Sequence, residues 1–175
     1  DLVSSKSRIE KNGWVKSAKL KYILPSKLKI TISEEKPYFL LKKNNQFTLL
    51  NINGKEIEVL DSFESNYNNL IVLSGNGAEN KVEHLIKILK VSNEITSKIT
   101  SANLISNRRW SLIYNSTVTI ELPEENAIQA LYKISQLEEK YNLLSSKLKK
   151  IDLRISDRMI IELNTKTSYA KENNI

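Results

Sequence analysis

The sequence predicts an α+β fold, with an antiparallel or mixed sheet that carries its helices on one side. Apolar and polar residues alternate in several short stretches, which is typical of strands with one buried face. Two longer stretches, 78–90 and 124–150, repeat apolar residues at helical spacing instead. At 175 residues, 40% of them hydrophobic and 27% charged, the chain is long enough to fold around one or two modest cores.

Composition limits the classes of function. The formal charge of +7 comes from lysines and arginines spread along the chain, often beside glutamate, which favours a solvated basic surface over a nucleic-acid-binding one. No apolar run approaches the roughly 20 residues of a membrane helix. Cysteine is absent, and the single histidine, His84, is expected to face water. The sequence therefore predicts neither a conventional zinc site nor a partnered catalytic base.

The first 36 residues predict a helix followed by a hairpin. The helix covers 2–11, and Gly13 is placed to end it. Two alternating stretches then flank a turn at Pro25-Ser26, with apolar residues on one face and lysines on the other. We expect an antiparallel hairpin with an apolar side and a basic side.

The middle of the chain predicts short strands and a first long helix. The strands cover 38–43, 47–51, 55–59 and 70–73, with Asn53-Gly54 as a hairpin turn. Gly75-Asn76-Gly77 lacks the third glycine of a dinucleotide fingerprint and the Gly-Lys-Ser/Thr of a Walker loop. It is therefore interpreted as a strand-to-helix turn. The core face of the helix that follows consists of Val82, Leu85, Ile86 and Leu89.

A second hairpin and a second helix follow. In RRWSLIYNSTVTIELP, a turn at 115–117 places Trp110, Leu112 and Tyr114 opposite Leu122, Ile120 and Val118. Pro123 and two glutamates suit the first turn of the helix. Its predicted buried stripe is Ala127, Leu131, Ile134, Leu137, Tyr141, Leu144 and Leu148, and lysines 147, 149 and 150 are placed at its C-terminal end.

The stretch IDLRISDRMIIEL predicts the last two strands. A turn at 156–158 places Ile155 opposite Met159, Leu153 opposite Ile161 and Ile151 opposite Leu163, all facing the core. Arg154, Arg158, Ile160 and Glu162 are then left facing outward. The polar residues that follow contain too little apolar surface to cover a neighbour. The last strand is therefore predicted to be an open edge, either an ordinary terminal strand or a place where another chain adds a strand.

Three segments resemble one family in order and spacing: WVKSA…LP…EEKP, RRWSLIY…IELP and IDLRISDRM. They are similar to the FtsQ/DivIB family of bacterial cell division proteins. The resemblance implies the C-terminal half of a POTRA domain over residues 1–36, an FtsQ-type β domain over 37–165 and a polar tail over 166–175. The first half of POTRA, the membrane helix and the cytoplasmic tail of the family are expected to lie outside this sequence.

The resemblance also implies a function. Members are scaffolds of the division complex that bind the FtsB/FtsL pair, with septal peptidoglycan synthase components and FtsK as further partners. We therefore expect a non-enzymatic, cofactor-free protein on the periplasmic face of the inner membrane at the septum, anchored through a segment outside this sequence. The alternative is a POTRA-containing chaperone or assembly module of envelope protein export.

The same resemblance implies the partner-binding residues. The final strand of the β domain is the family's site for a short FtsB segment, and the arginine pair before Trp110 lies near that contact. The family often has a tyrosine anchor where this chain has Ile155, so the anchor is expected to be lost or moved. The predicted site residues are Arg108, Arg109, Arg154, Ile155, Arg158, Ile160, Glu162 and Leu163.

Overall fold

A computed structural model of the protein describes residues 1–62, 65–145, 147–155 and 157–164. It divides the chain into two compact units, Asp1–Leu70 and Ile71–Ile175. Both units combine strands with at least one helix, which confirms the predicted α+β class. The predicted tail, 166–175, lies outside the described residues, as does Ser156 of the predicted turn.

The first unit consists of a helix, a hairpin and a three-stranded meander. Its elements are α1 (Leu2–Glu10), β1 (Val15–Ile23), β2 (Lys27–Glu34), β3 (Phe39–Lys43), β4 (Gln46–Leu50) and β5 (Glu56–Leu60). The β1–β2 hairpin has the predicted turn, since Ile23 pairs with Lys27 across it. Strand β4 pairs antiparallel with β3 on one side and with β5 on the other.

Two details of the first unit differ from the sequence predictions. Helix α1 ends at a right-handed Lys11, and Gly13 is required for another reason: a Cβ there would lie 1.9 Å from the carbonyl oxygen of Ile57 in β5. The turn between β4 and β5 spans five residues instead of the two at Asn53-Gly54, because Leu50 pairs with Glu56. The buried Asn51 stabilises this turn, since its Oδ1 accepts the N–H groups of Asn53 and Lys55, both at 2.9 Å.

The second unit is a six-stranded mixed sheet with helices. Its elements are β6 (Ile71–Ser74), α2 (Val82–Leu89), α3 (Asn93–Thr96), β7 (Ile99–Ile105), β8 (Arg109–Tyr114), β9 (Val118–Glu121), α4 (Ala127–Tyr141), β10 (Leu148–Asp152) and β11 (Ile160–Leu163). The strands follow one another in chain order from β6 to β11. The β6–β7 and β9–β10 pairs are parallel because helices connect them, and the other pairs are antiparallel.

One face of this sheet forms the core. Trp110, Leu112 and Tyr114 of β8 are buried on the same side as the buried residues of β9. The predicted register of this hairpin is confirmed, with Leu112 opposite Ile120 and Tyr114 opposite Val118. Helix α2 buries the four predicted positions and also Ile88, and it packs on α4. Since alternate strand positions remain partly exposed, the helices cover one face only.

Helix α4 is shorter than its apolar pattern predicts. It ends at Tyr141, where Asn142 adopts a left-handed conformation (φ 50°). The buried Glu138 completes this end, since its Oε2 accepts the N–H of Leu144 at 2.6 Å. Because the helix stops there, Lys149 and Lys150 belong to β10. Tyr141 was predicted to be buried and is exposed. The buried stripe that we predicted for one helix, from Ala127 to Leu148, therefore begins in α4 and ends in β10.

The Gly75-Asn76-Gly77 turn connects β6 to a short 3-10 turn that precedes α2. Gly75 has a φ of +99°, and a Cβ on it would lie 2.2 Å from the carbonyl oxygen of Leu104. A tight connection beside β7 thus explains this glycine.

Candidate functional site

The final strand pair has a register different from the predicted one. Ile151 lies opposite Ile161 instead of Leu163, and Asp152 lies opposite Ile160. The register shifts between Leu148 and Lys150, which leaves Lys149 as the extra residue of a bulge in β10. The connection between the strands is therefore seven residues long, from Leu153 to Met159, and Ile155 and Met159 do not pair.

Strand β11 is exposed on both faces. We predicted that Ile161 and Leu163 face the core, and this is wrong: the exposed fractions of their side chains are 42% and 61%. Ile160 and Glu162 are exposed as well, as predicted. The apolar alternation is present, but no layer of the described chain covers this terminal strand. Strand β10 is the last strand whose apolar residue, Ile151, is fully buried.

The outer edge of β11 presents main-chain groups to solvent. The main-chain N–H of Asn164 donates to the carbonyl of Lys147 at 2.8 Å, so the main-chain groups of Asn164 point towards the β10 side. Main-chain N–H and C=O groups alternate in direction along a strand, so those of Ile160 and Glu162 also point towards β10. Ile161 and Leu163 therefore direct their N–H and C=O groups away from the sheet. Within the described residues, β11 has no strand on that side.

The Asp-Leu-Arg segment forms a compact clamp at the end of β10. The carboxylate of Asp152 accepts the main-chain N–H of Arg154 at 3.0 Å and the Nε of its guanidinium at 2.9 Å. These contacts lower the pKa of Asp152 to about 2. Leu153 is buried beneath the clamp, whereas Ile155 is 53% exposed and does not face the core as predicted. The backbone turns there, since the N–H of Arg158 donates to the carbonyl of Ile155 at 3.1 Å.

Three of the predicted site residues line one groove. One wall consists of Arg154, Ile155 and Arg158, and the other consists of residues between 123 and 133, from the segment before α4 and its first two turns. The groove has a volume of about 550 Å³ and mixes apolar and charged side chains. Arg108 reaches its rim, because its Nη1 lies 3.3 Å from Oε2 of Glu124. An exposed apolar side chain beside two arginines, with Glu124 and Glu125 also lining the groove, suits a polypeptide that presents both apolar and charged groups.

Arg109 lies away from this rim and pairs within the sheet. Its guanidinium bonds to the carboxylate of Glu121 in β9, which also accepts the hydroxyl of Ser111 at 3.3 Å and lies 3.7 Å from the ammonium of Lys150. Glu121 is thus the centre of a mostly buried polar cluster across three strands. Sequence reasoning missed it, although the alternation in TIEL places Glu121 on the same side as Arg109 once the register is known.

The remaining predicted site residue, Glu162, pairs with Lys149, the bulge residue of β10. This ammonium holds the pKa of Glu162 below its usual range. His84 is half-buried rather than fully exposed, and desolvation lowers its pKa, with Lys81 and Lys87 adding to the effect. No group of three or more metal-ligating side chains occurs among the described residues. Among them, too, no helix combines the length and apolar character that crossing a membrane requires.

Two models of known protein families match most of the chain. The model of the FtsQ/DivIB C-terminal region, a cell division protein family, matches residues 39–154. The model of the FtsQ-type POTRA domain matches residues 3–35. The POTRA match ends at residue 35 and the C-terminal match begins at residue 39.

Relatives named as cell division protein FtsQ support the same family. The chain is 29% identical over 165 residues to that of Novosphingobium aromaticivorans, covering 93% of this chain and 51% of the relative. It is 30% identical over 156 residues to that of Zymomonas mobilis, covering 89% and 49% respectively. The chain spans about half the length of the curated relatives it matches.

Among solved structures, the major extracytoplasmic domain of the cell division protein DivIB from Geobacillus stearothermophilus aligns with a TM-score of 0.42 at 12% identity, over 63% of this chain and 96% of that one. The family models cover the POTRA segment and the chain as far as residue 154, so β11 lies beyond the match. The chain belongs to the FtsQ/DivIB family of cell division proteins.

Proposed function

We propose that this chain is the extracytoplasmic part of a non-enzymatic division scaffold that binds the FtsB/FtsL pair by strand addition to β11. The observation that carries the proposal is the free edge at Ile161 and Leu163, whose main-chain donors and acceptors point away from the sheet. An added strand satisfies these groups, and its alternate side chains supply specificity. The FtsQ-type description of the POTRA match favours division over envelope protein export.

The exposed side chains of β11 support this role. Ile160 and Leu163 are apolar and more than half exposed, and Glu162 carries its charge on the same face as Ile160. A partner strand beside β11 buries apolar surface next to its new main-chain hydrogen bonds, which combines the two main sources of affinity in strand addition.

The arginines and Ile155 extend the proposed interface past the end of the strand. Arg154 and Arg158 line the groove together with Ile155, and Arg108 pairs with Glu124 of the same groove, so a partner continuing beyond β11 would meet them. Ile155 replaces the aromatic anchor expected from the family and offers a smaller apolar contact. Arg109 contributes indirectly, because its guanidinium is engaged by Glu121.

The proposed context follows the family. Residues 1–36 form the C-terminal half of a POTRA domain, 37–165 form the β domain, and 166–175 form a tail. The scaffold lies on the periplasmic face of the inner membrane at the septum, held by an anchor outside this sequence. It links FtsB and FtsL to the septal peptidoglycan synthases, with FtsK as a further partner.

Proline substitution tests the mechanism at adjacent positions. Ile161→Pro removes an N–H that points outward, so the chain should fold normally and lose affinity for a soluble FtsB segment by at least about tenfold. Ile161→Val keeps the donor and should bind like the parent chain. Glu162→Pro instead removes a donor that faces β10 and should lower the melting temperature. Calorimetric titration and circular dichroism measure both effects, and undiminished FtsB binding by folded Ile161→Pro would exclude strand addition at β11.

A further inference from the structure

The β1–β2 hairpin has one strongly basic face. Between residues 15 and 33 the chain contains five lysines and neither aspartate nor glutamate. The register places Lys21 opposite Lys29, and Lys19 and Lys27 lie on the same face. All four side chains are exposed. This face is therefore a compact cationic surface on two neighbouring strands.

Several lysines elsewhere in the chain are paired with carboxylates. Lys55, Lys87, Lys98, Lys149 and Lys150 each lie within ion-pair distance of a carboxylate. In the part of the chain that the structure describes, no such pair involves the four lysines of the hairpin face. Their charge is therefore available to an external anion.

The tip of the same hairpin is apolar. Leu24 is 87% exposed, the highest value among the large apolar side chains that the structure describes. Ile23 and Tyr22 beside it are also exposed, and Pro25 completes the turn. An apolar tip next to a basic face resembles the composition of segments that lie at a membrane interface, where lysines meet lipid phosphates and apolar residues enter the acyl boundary.

We propose that the β1–β2 hairpin docks on the surface of an anionic phospholipid bilayer. The lysine face supplies attraction to phosphate headgroups, and Leu24 and Ile23 insert at the boundary between headgroups and acyl chains. A soluble polyanion would satisfy the lysines but would leave the leucine in water, so the tip favours a membrane. The inference rests on β1 and β2 alone and does not depend on strand addition at β11.

Vesicle flotation of the whole chain tests this inference. The chain should bind phosphatidylcholine vesicles that contain about one third phosphatidylglycerol and should not bind pure phosphatidylcholine vesicles. Raising the salt concentration from about 50 to about 200 mM should weaken binding, because the contacts are exposed. Equal binding to both kinds of vesicle would overturn the electrostatic part of the proposal.

Paired variants localise the effect. The double variant Lys21→Glu/Lys29→Glu should weaken partitioning by at least about twentyfold, since each lysine near an anionic surface contributes roughly fivefold. The control Lys90→Glu/Lys140→Glu changes the net charge equally at exposed lysines of the second unit and should bind within about twofold of the parent chain. Equal loss in both double variants would mean that only net charge matters, which contradicts the proposal.

A third variant separates membrane docking from binding to a polyanion. Leu24→Ser should reduce vesicle binding while leaving retention on heparin unchanged, because heparin offers no apolar phase. If Leu24→Ser binds vesicles like the parent chain, the tip does not insert and the proposal fails. Circular dichroism of each variant confirms that the hairpin remains folded.

Discussion

Strands β5 and β11 are both terminal strands, one in each unit, and their outer edges differ in whether a bulge and a neighbouring segment block further strand pairing. Ile57 is the extra residue of a bulge in β5, and Gly13 lies so close to its carbonyl that no side chain fits between them. The indole Nε1 of Trp14 also donates to Glu58 at 2.8 Å. Strand β11 has neither a bulge of its own nor a covering segment in the described chain.

This difference shows how the edge of a sheet is either blocked against pairing with another strand or left able to pair. A bulge and a covering segment are two common ways to prevent unwanted strand pairing. The first unit uses both at β5. At β11 the bulge lies in the neighbouring strand, at Lys149, so the outer groups of β11 keep the regular spacing that strand addition requires. The contrast is a second observation that supports the proposal of strand addition at β11.

The largest effect is expected at the closed edge. Gly13→Ala places a Cβ 1.9 Å from the carbonyl oxygen of Ile57, where only main-chain movement can relieve the clash. We expect the free energy of unfolding to fall by about 3 kcal/mol, the upper range for overpacking. Urea denaturation measures it, with Ser7→Ala on the exposed face of α1 as a control expected to change it by less than about 0.5 kcal/mol.

If Gly13→Ala is as stable as the control, the covering segment does not pack tightly on β5. The contrast between the two edges would then rest on the bulge alone.

A smaller effect is expected from pH beside the open edge. Hydrogen bonds from Arg154 lower the pKa of Asp152 from its usual value of 3.8 to about 2 in the folded chain. The stabilisation is therefore complete above about pH 4 and is lost as the pH falls towards 2. Because Arg154 is substantially exposed, we expect a contribution of about 1 kcal/mol.

The measurement compares the parent chain with Arg154→Ala by urea denaturation at pH 6 and at about pH 2.5. The parent should be more stable than the variant at pH 6 and should lose most of this difference in the free energy of unfolding at the lower pH. An advantage that is the same at both pH values would show that Arg154 stabilises the chain by packing and not through Asp152.

The smallest effect is expected at the partly exposed indole. Trp14→Phe keeps most of the apolar contact but removes the donor to Glu58, so the free energy of unfolding should fall by about 0.5 kcal/mol, the lower range for a hydrogen bond. Adding Glu58→Ala to Trp14→Phe should not remove this hydrogen bond a second time, so the two losses of free energy of unfolding should not add. A double-mutant cycle with a coupling energy near zero would mean that the hydrogen bond does not help to hold the segment at β5.

The sequence predicted best where neighbouring residues determine the geometry. The hairpin of β8 and β9 has the predicted register because a short turn at 115–117 permits few alternatives and because both strands bury alternate residues. The core face of α2 was predicted for the same reason, since helical spacing and burial agree. The edge position of β11 also followed from local composition, because a polar sequence comes after it.

Tertiary contacts decided the rest. The end of α4 depends on Glu138, a charged residue that is buried because it accepts the N–H of Leu144. The register of β10 and β11 depends on the bulge at Lys149, and an alternating pattern alone could not reveal this, since a bulge shifts the pairing without changing which residues are apolar. Gly13 was predicted to end a helix. A glycine is required there because the main chain of Ile57, 44 residues away in sequence, lies too close to leave room for a side chain.

The sequence by itself determined the α+β class, the end position of β11 among the described strands and, through three spaced motifs, the family. These features depend on local periodicity and composition, which a single chain displays along its length. Only the tertiary structure decided which main-chain groups of β11 face outward, that Ile155 lies at a groove with Arg154 and Arg158, and that Arg109 pairs with Glu121. Those features require strands to meet in one particular register, and register is set by packing and bulges across the sheet rather than by any one segment.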